Sequence, residues 1–215
     1  MPPRCAHTTR MQTDRSTSLL VASAILVALL ALSGLHPYDR ATWLLEIFPV
    51  LIALPIMWST YRRFPLTTLV YTLIFVHALV LMLGGIYTYA RVPLGFQIAD
   101  ILHLTRNPYD KIGHFFQGLV PALVAREVFI RGQYVRGRAM LVFVVVCVVM
   151  AISACYELIE WATALAIGQG ADAFLGTQGD PWDTQSDMFM AMIGAVTALV
   201  LFSRMHDRQI RSMQD

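Results

Sequence analysis

Charge is scarce in this sequence. Only 14% of its residues are Asp, Glu, Lys or Arg, against about 25% in soluble domains, and mean hydropathy is +0.59. That composition excludes an ordinary water-soluble globule. Cysteine is nearly absent as well. Cys147 and Cys155 share one hydrophobic run and Cys5 lies near the start, so no disulfide framework is visible and no pair has zinc-ribbon spacing. A net charge of +2 is too small to suggest nucleic acid as a partner. There is no P-loop, no G-x-S-x-G and no H-E-x-x-H, and no internal repeat. Nucleotide-phosphate, serine-hydrolase and zincin chemistry therefore have no motif to stand on.

What the chain has instead is long apolar runs. A membrane span needs about 20 mostly apolar residues, and six spans are expected, near 17–35, 42–60, 66–90, 110–130, 138–164 and 184–203. The predicted fold is all-α: a polytopic membrane helical bundle forming a single integral domain over 1–215, with tails at 1–16 and 204–215. Pro49 and Pro55 predict a kink in the second helix. The fourth is the weakest by hydropathy, because only the 14 residues Ile112 to Ala125 are free of charge and Pro121 interrupts them.

Loop charges set the direction. The first tail (Arg4, Arg10, Arg15), the 2–3 loop (Arg62, Arg63), the 4–5 region (Arg126, Arg131, Arg136, Arg138) and the last tail (Arg204, Arg208, Arg211) carry twelve basic residues. The other side carries four: Arg40, Arg91, Arg106 and Lys111. Both termini are therefore expected in the cytoplasm. The Leu19–Leu35 run is longer than a signal-peptide core and lacks an A-x-A end, so the first span is expected to be retained. The 3–4 loop, Arg91 to Pro108, is apolar apart from Asp100 and His103 and predicts a short helix on the outer interface. The 5–6 loop holds Gly168, Gly170, Gly176 and Gly179 and predicts a tight, backbone-rich segment. It ends with Asp180 as N-cap and Pro181 as first residue of the sixth helix.

The few charges inside spans gather at one depth. Asp110 and His114 are four apart on one helical face. Glu157 and Glu160 are three apart, with Ser153 one turn deeper, and Glu157 lies about 28 Å from Arg138 along a helix rising 1.5 Å per residue. Asp183 and Asp187 are four apart and continue as Ala191, Gly194 and Ala198, a small-residue face suited to close packing. An intramembrane charge costs roughly 2.5–3.5 kcal/mol on insertion scales and marks a functional site by default. Three readings fit these six residues. Carboxylates with one imidazole suit a divalent metal such as Mg, Mn or Zn, with a remaining carboxylate as base. They also suit direct acid–base work, with His114 exchanging protons near neutral pH. The structural alternative is a hydrogen-bond network closing three helix ends, aided by acidic residues at helix starts. It accounts for Asp110, Asp180 and Asp183 better than for His114, Glu157, Glu160 and Asp187.

Other polar residues have plainer expectations. His77, mid-span, reads as a satisfied core histidine. Glu46 either joins the cluster or faces solvent. Arg126 and Glu127, at the inner end of the fourth helix, suggest snorkelling or pairing. Trp161 and Trp182 fit an aromatic belt.

The stretches Asn107–Gly118, Ser153–Trp161 and Ala171–Met188 resemble those of the YjdF-like bacterial inner-membrane proteins, and the likeness runs from about the first span to Gln209. It implies a bacterial inner-membrane location. A shorter pattern is similar to VanZ-like membrane proteins: Asp110, His114 and Phe115, then Glu157, then Asp187 and Gly194, with Glu160 in place of a usual Gln and Ala191 in place of a usual Asn. It implies a shared helical skeleton.

The leading functional expectation is action on a lipid or cell-envelope molecule at the periplasmic leaflet, by hydrolysis or group transfer. Asp110, His114, Glu157, Glu160, Asp183 and Asp187 would carry it, with His114 or a glutamate as acid or base. No cofactor is specified. A proton-coupled small-solute carrier ranks second, since carriers bind near the midplane through repeated, broken helices. A non-catalytic assembly or envelope-stress factor is third.

Overall fold

The computed structural model describes residues 4–167 and 178–214, with side chains from Arg15 to Ala166 and from Gln178 to Gln214. Among these residues there is no strand. The helices are α1 (Arg4–Ser33), α2 (Arg40–Thr60), α3 (Thr68–Tyr87), α4 (Pro93–Leu102), α5 (Tyr109–Arg131), α6 (Arg138–Ile167), α7 (Asp183–Thr197) and α8 (Ser203–Ser212). A 3-10 turn, Tyr89–Arg91, precedes α4, and a π turn, Ala198–Phe202, joins α7 to α8. Five helical stretches are long and apolar enough to cross a membrane: Arg15–Ser33, Arg40–Thr60, Thr68–Tyr87, Arg138–Ala166 and Asp183–Ser212. The chain is a polytopic membrane bundle. α5 has the length of a span but not the composition, because its polar residues are buried between neighbouring helices.

Several boundaries differ from expectation. The tail at 1–16 is helical from Arg4 and runs into α1. α3 stops at Tyr87, three residues early, where Thr88 takes a positive φ of 59°. The sixth helix begins at Asp183, not Pro181: the Asp180 carboxylate accepts the Trp182 N–H at 2.9 Å, closing a turn before the helix instead of capping it. The tail beyond 203 continues as α8. The short outer helix is present as α4, with Leu94, Phe96, Ile101 and Leu102 exposed, as an interfacial helix requires. Gly168, Gly170 and Gly176 lie outside the described residues.

Two apolar cores hold the bundle. One gathers Val70, Leu119, Leu123, Val145, Val149, Ala191 and Ala195 from α3, α5, α6 and α7. The other gathers Leu26, Ile47, Val50, Ala78 and Leu81 from α1, α2 and α3, with Tyr89 and Tyr109 at its outer end. Outside the spans, Asp39 caps α2, accepting Thr42 N–H at 2.7 Å and Thr42 O–H at 2.9 Å. The backbone bond from Thr42 holds that carboxyl below its usual range.

At the Arg-rich end a buried polar knot ties α3, α5 and α8. Glu127 is fully buried. It accepts Thr67 N–H at 3.0 Å, Thr67 O–H at 2.8 Å, an Arg131 N–H at 2.8 Å and His206 Nε2–H at 2.9 Å. Arginine can only donate, so the 3.2 Å contact from Arg126 makes His206 Nδ1 the acceptor and leaves the ring proton on Nε2, facing Glu127. Arg126 also donates to Asp207 at 2.6 Å, and Gln209 accepts Leu69 N–H at 2.9 Å. Two N–H groups at the opening of α3, those of Thr67 and Leu69, are thus satisfied by side chains from α5 and α8. The pairing expected for Arg126 and Glu127 is present, and deeper than snorkelling would put it.

Glu127→Ala should therefore lower stability by about 3–5 kcal/mol, the cost of stripping one partner from a buried ionic network. Glu127→Gln, which keeps the shape, should cost less. Thermal unfolding of the detergent-solubilised protein measures both; near-identity of the alanine variant with the parent would show the knot to be dispensable.

Candidate functional site

The opposite end of α5, about 25 Å away by helix rise, carries the second buried polar group. Its geometry comes from one close helix crossing. A Cβ on Gly118 would overlap the Ala191 carbonyl, and a Cβ on Gly194 would overlap the Phe115 carbonyl. Only glycine at both points lets the α5 and α7 backbones meet. That contact sets Asp187 of α7 beside Asp110 and His114 of α5.

His114 is the hub. Its Nε2 is 3.5 Å from Asp110 Oδ1 and 3.8 Å from Asp187 Oδ1, and its Nδ1 is 3.8 Å from Glu157 Oε1. Nδ1 also lies 2.9 Å from Gln117 Oε1, an oxygen that can only accept, so Nδ1 carries the proton. Asp110, His114, Glu157 and Asp187 are all buried. Donor atoms of Asp110, His114 and Asp187 fall within 4.8 Å of one another, so these three could hold a metal ion.

Asp183 joins through Lys111. The Lys111 ammonium donates to Asp183 Oδ1 at 2.9 Å, Ser186 Oγ at 2.7 Å and Asp187 Oδ1 at 2.6 Å. Arg106 adds Asp183 at 3.0 Å and Asp180 at 2.9 Å. Glu160 is set apart. With Glu46 it lines a small crevice between α2 and α6, walled by Leu45, Phe48, Tyr156 and Ile159. Phe48 and Ile159 are exposed on the apolar surface of the bundle. Glu46 thus faces neither solvent nor the bundle's exterior alone; it lies within electrostatic reach of Asp110 and His114.

Lys111 and Arg106, expected only as topological charges, are part of the site. Spacing held the signal: Lys111 is on the helix that carries His114, next to Asp110. His77 also departs from expectation. It stacks on Phe116 with ring centres 6.0 Å apart, but its buried Nε2 has no partner. Trp161 and Trp182 are exposed, as a belt requires.

Residues 18–208 match the profile of a family described as predicted membrane protein (DUF2238). The chain belongs to this family. It is 60% identical over 196 residues to the inner membrane protein YjdF of Escherichia coli (strain K12), covering 91% of this chain and 92% of that relative. No solved structure matches. This DUF2238 member is a multi-pass inner-membrane protein, and the matched region takes in both glycine contacts, the outer cluster and all of the inner knot but Gln209. The expected similarity to VanZ-like proteins is not shown by these comparisons.

Because backbone meets backbone at the crossing, Gly194→Val should force α5 and α7 apart. Overpacking of this kind costs about 1–3 kcal/mol. Leu201→Ala, on an exposed face, should change little. Melting of the two purified variants, compared side by side, tests whether the crossing is under that constraint.

Proposed function

We propose that this protein is a six-span enzyme that acts on a lipid or other amphiphilic cell-envelope molecule from the periplasmic leaflet, by hydrolysis or group transfer. α5, whose 23 residues would extend about 34 Å, is the sixth span. The twelve-to-four asymmetry of basic residues supports cytoplasmic termini and a His114 end facing outward.

The observation that carries this reading is a row of polar groups running inward from an apolar-walled crevice. Glu160 and Glu46 stand in the crevice; Glu157, His114, Asp110 and Asp187 lie behind it. A long-chain substrate could keep its tails in lipid against Phe48 and Ile159 while its polar part meets Glu160. Glu157 is the proton-handling group in this reading. Its buried Oε1 has no hydrogen-bond partner, whereas the facing oxygens of Asp183 and Asp187 are engaged by Lys111. A general base needs a free lone pair within reach of the proton it takes. Lys111 and Arg106 fix the α7 aspartates and so support the row from behind.

A proton-coupled carrier is the second reading, favoured by two deeper groups. His77 Nε2 and Ser153 Oγ, both buried and unpartnered, continue the row toward the middle of the bundle. Sealed vesicles discriminate: a carrier moves solute across them, an enzyme changes a molecule without flux.

Glu157→Gln should fold and insert normally yet lose activity by on the order of 10² or more, the scale of general acid–base catalysis. Mass spectrometry of envelope lipids supplies the readout, comparing membranes from cells making the parent protein, the variant or neither. A species that changes with the parent and not with the variant is the expected result. If Glu157→Gln, His114→Gln and Asp187→Asn all matched the parent, the cluster would be a structural tie and the enzyme reading would fall.

A further inference from the structure

The geometry points to a divalent transition-metal site: Asp110, His114 and Asp187 bind a cation such as Zn2+ or Mn2+, with Glu157 beside it as the uncommitted carboxylate. This deepens the reading of the same cluster, and its test does not use turnover.

Spacing is the first support. Asp110 Oδ1 and Asp187 Oδ1 stand 3.5 Å and 3.8 Å from His114 Nε2. Those separations are too long for ordinary N–H···O bonds, which fall near 2.7–3.2 Å. They are close to the roughly 3.3 Å between ligands arranged tetrahedrally at about 2.0–2.1 Å from one zinc. The donor atoms of all three residues fall within 4.8 Å of one another, so binding draws the set together around the ion. One imidazole and two carboxylates are a donor set that Zn2+ and Mn2+ accept.

The second support is the orientation of the ring. Gln117 Oε1 accepts the Nδ1 proton at 2.9 Å, which turns Nε2 toward the Asp110 and Asp187 carboxylates. Metal-binding histidines show this arrangement: the far nitrogen donates to a carbonyl or carboxylate that fixes the tautomer.

The third is Glu157. It is 7% exposed, its Oε1 lies 3.8 Å from the His114 ring, and that oxygen has no partner. A buried carboxylate oxygen without a donor is costly, and a neighbouring divalent cation offsets that cost. Charge balance agrees. Asp110, Glu157 and Glu160 have no Lys or Arg ion pair among the described residues, since Lys111 and Arg106 are engaged by Asp180, Asp183 and Asp187. Lys111 shares Asp187 with the proposed ion; Asp183 and Ser186 remain to hold its ammonium when Asp187 turns to the metal.

The test is metal content of the full-length protein, purified in detergent through a tag without histidine, stripped with chelator, loaded with Zn2+ and desalted. Elemental analysis should find about one Zn2+ per chain, and loading should raise the melting temperature, as a ligand that binds only the folded state does. Asp110→Asn and His114→Gln should each reduce the content to below about 0.2 per chain, while Asp100→Asn, an exposed acid on α4, should leave it unchanged. Gln117→Ala should weaken zinc affinity about 10- to 100-fold, the usual effect of removing such a support, and Gln117→Glu should restore it. Fewer than about 0.1 Zn2+ in the parent protein, with the same result for Mn2+ by electron paramagnetic resonance, would overturn the site, as would equal loading of parent, Asp110→Asn and His114→Gln. Stoichiometric zinc with unchanged envelope lipids would keep the site and remove the enzymatic reading. A lipid change that depends on Glu157 in a protein without zinc would do the reverse.

Discussion

The contact of α5 with α7 is the constraint on which the rest depends. Gly118 meets the Ala191 carbonyl and Gly194 meets the Phe115 carbonyl, so the two backbones touch without intervening side chains. In lipid no hydrophobic force draws helices together, and small residues allow the packing that does. Ala191 and Ala195 belong to the core on the same face. One turn or so outward from that contact, Asp187 necessarily arrives beside Asp110 and His114. A looser crossing would leave three partly solvated helix ends instead of a buried cluster.

The same crossing explains how α5 can lie within a membrane bundle while carrying Asp110, Lys111, His114, Arg126, Glu127 and Arg131. Its polar residues sit at its two ends, and each end is covered by other helices. α7 supplies Asp183, Ser186 and Asp187 at one end; α8, reached through the π turn, supplies His206, Asp207 and Gln209 at the other. The extra residue of a π turn shifts the face a helix presents. Its position between α7 and α8 separates the small-residue face that packs on α5 from the polar face that closes the knot.

Much of this architecture was legible in the sequence. Apolar run length located five of the long helices, though not where the first begins or where the last stretch ends, and the i,i+4 and i,i+3 spacings named the carboxylates and imidazole that the bundle brings together. What was not legible is instructive. Hydropathy averages a helix over all its faces, so α5 looked weak although only its buried face is polar. Lys111 was assigned to a loop charge balance because topology rules count basic residues without asking where their side chains go. Glu46, on α2, could be joined to the cluster only once the folded arrangement put it across a crevice from Glu160. Asp180 looked like a helix cap, but its carboxylate closes a turn one step earlier, and local sequence does not separate those outcomes.

The two ends of α5 also supply a comparison that bears on what the outer cluster is for. The inner knot shows what a polar network looks like when it only holds helices together: Glu127 has donors on both oxygens, and both nitrogens of His206 are engaged. The outer cluster is built from the same residue types at similar burial, on the same helix. Yet Glu157 Oε1, Ser153 Oγ and His77 Nε2 have no partner, and the His114 ring stands beyond hydrogen-bond distance from all three of its carboxylates. Native interiors leave few buried polar atoms unsatisfied, and each such atom calls for a specific reason. Within one chain that can saturate a buried network, the under-saturated one is where the proposed ion and proton-handling carboxylate would supply the missing interactions.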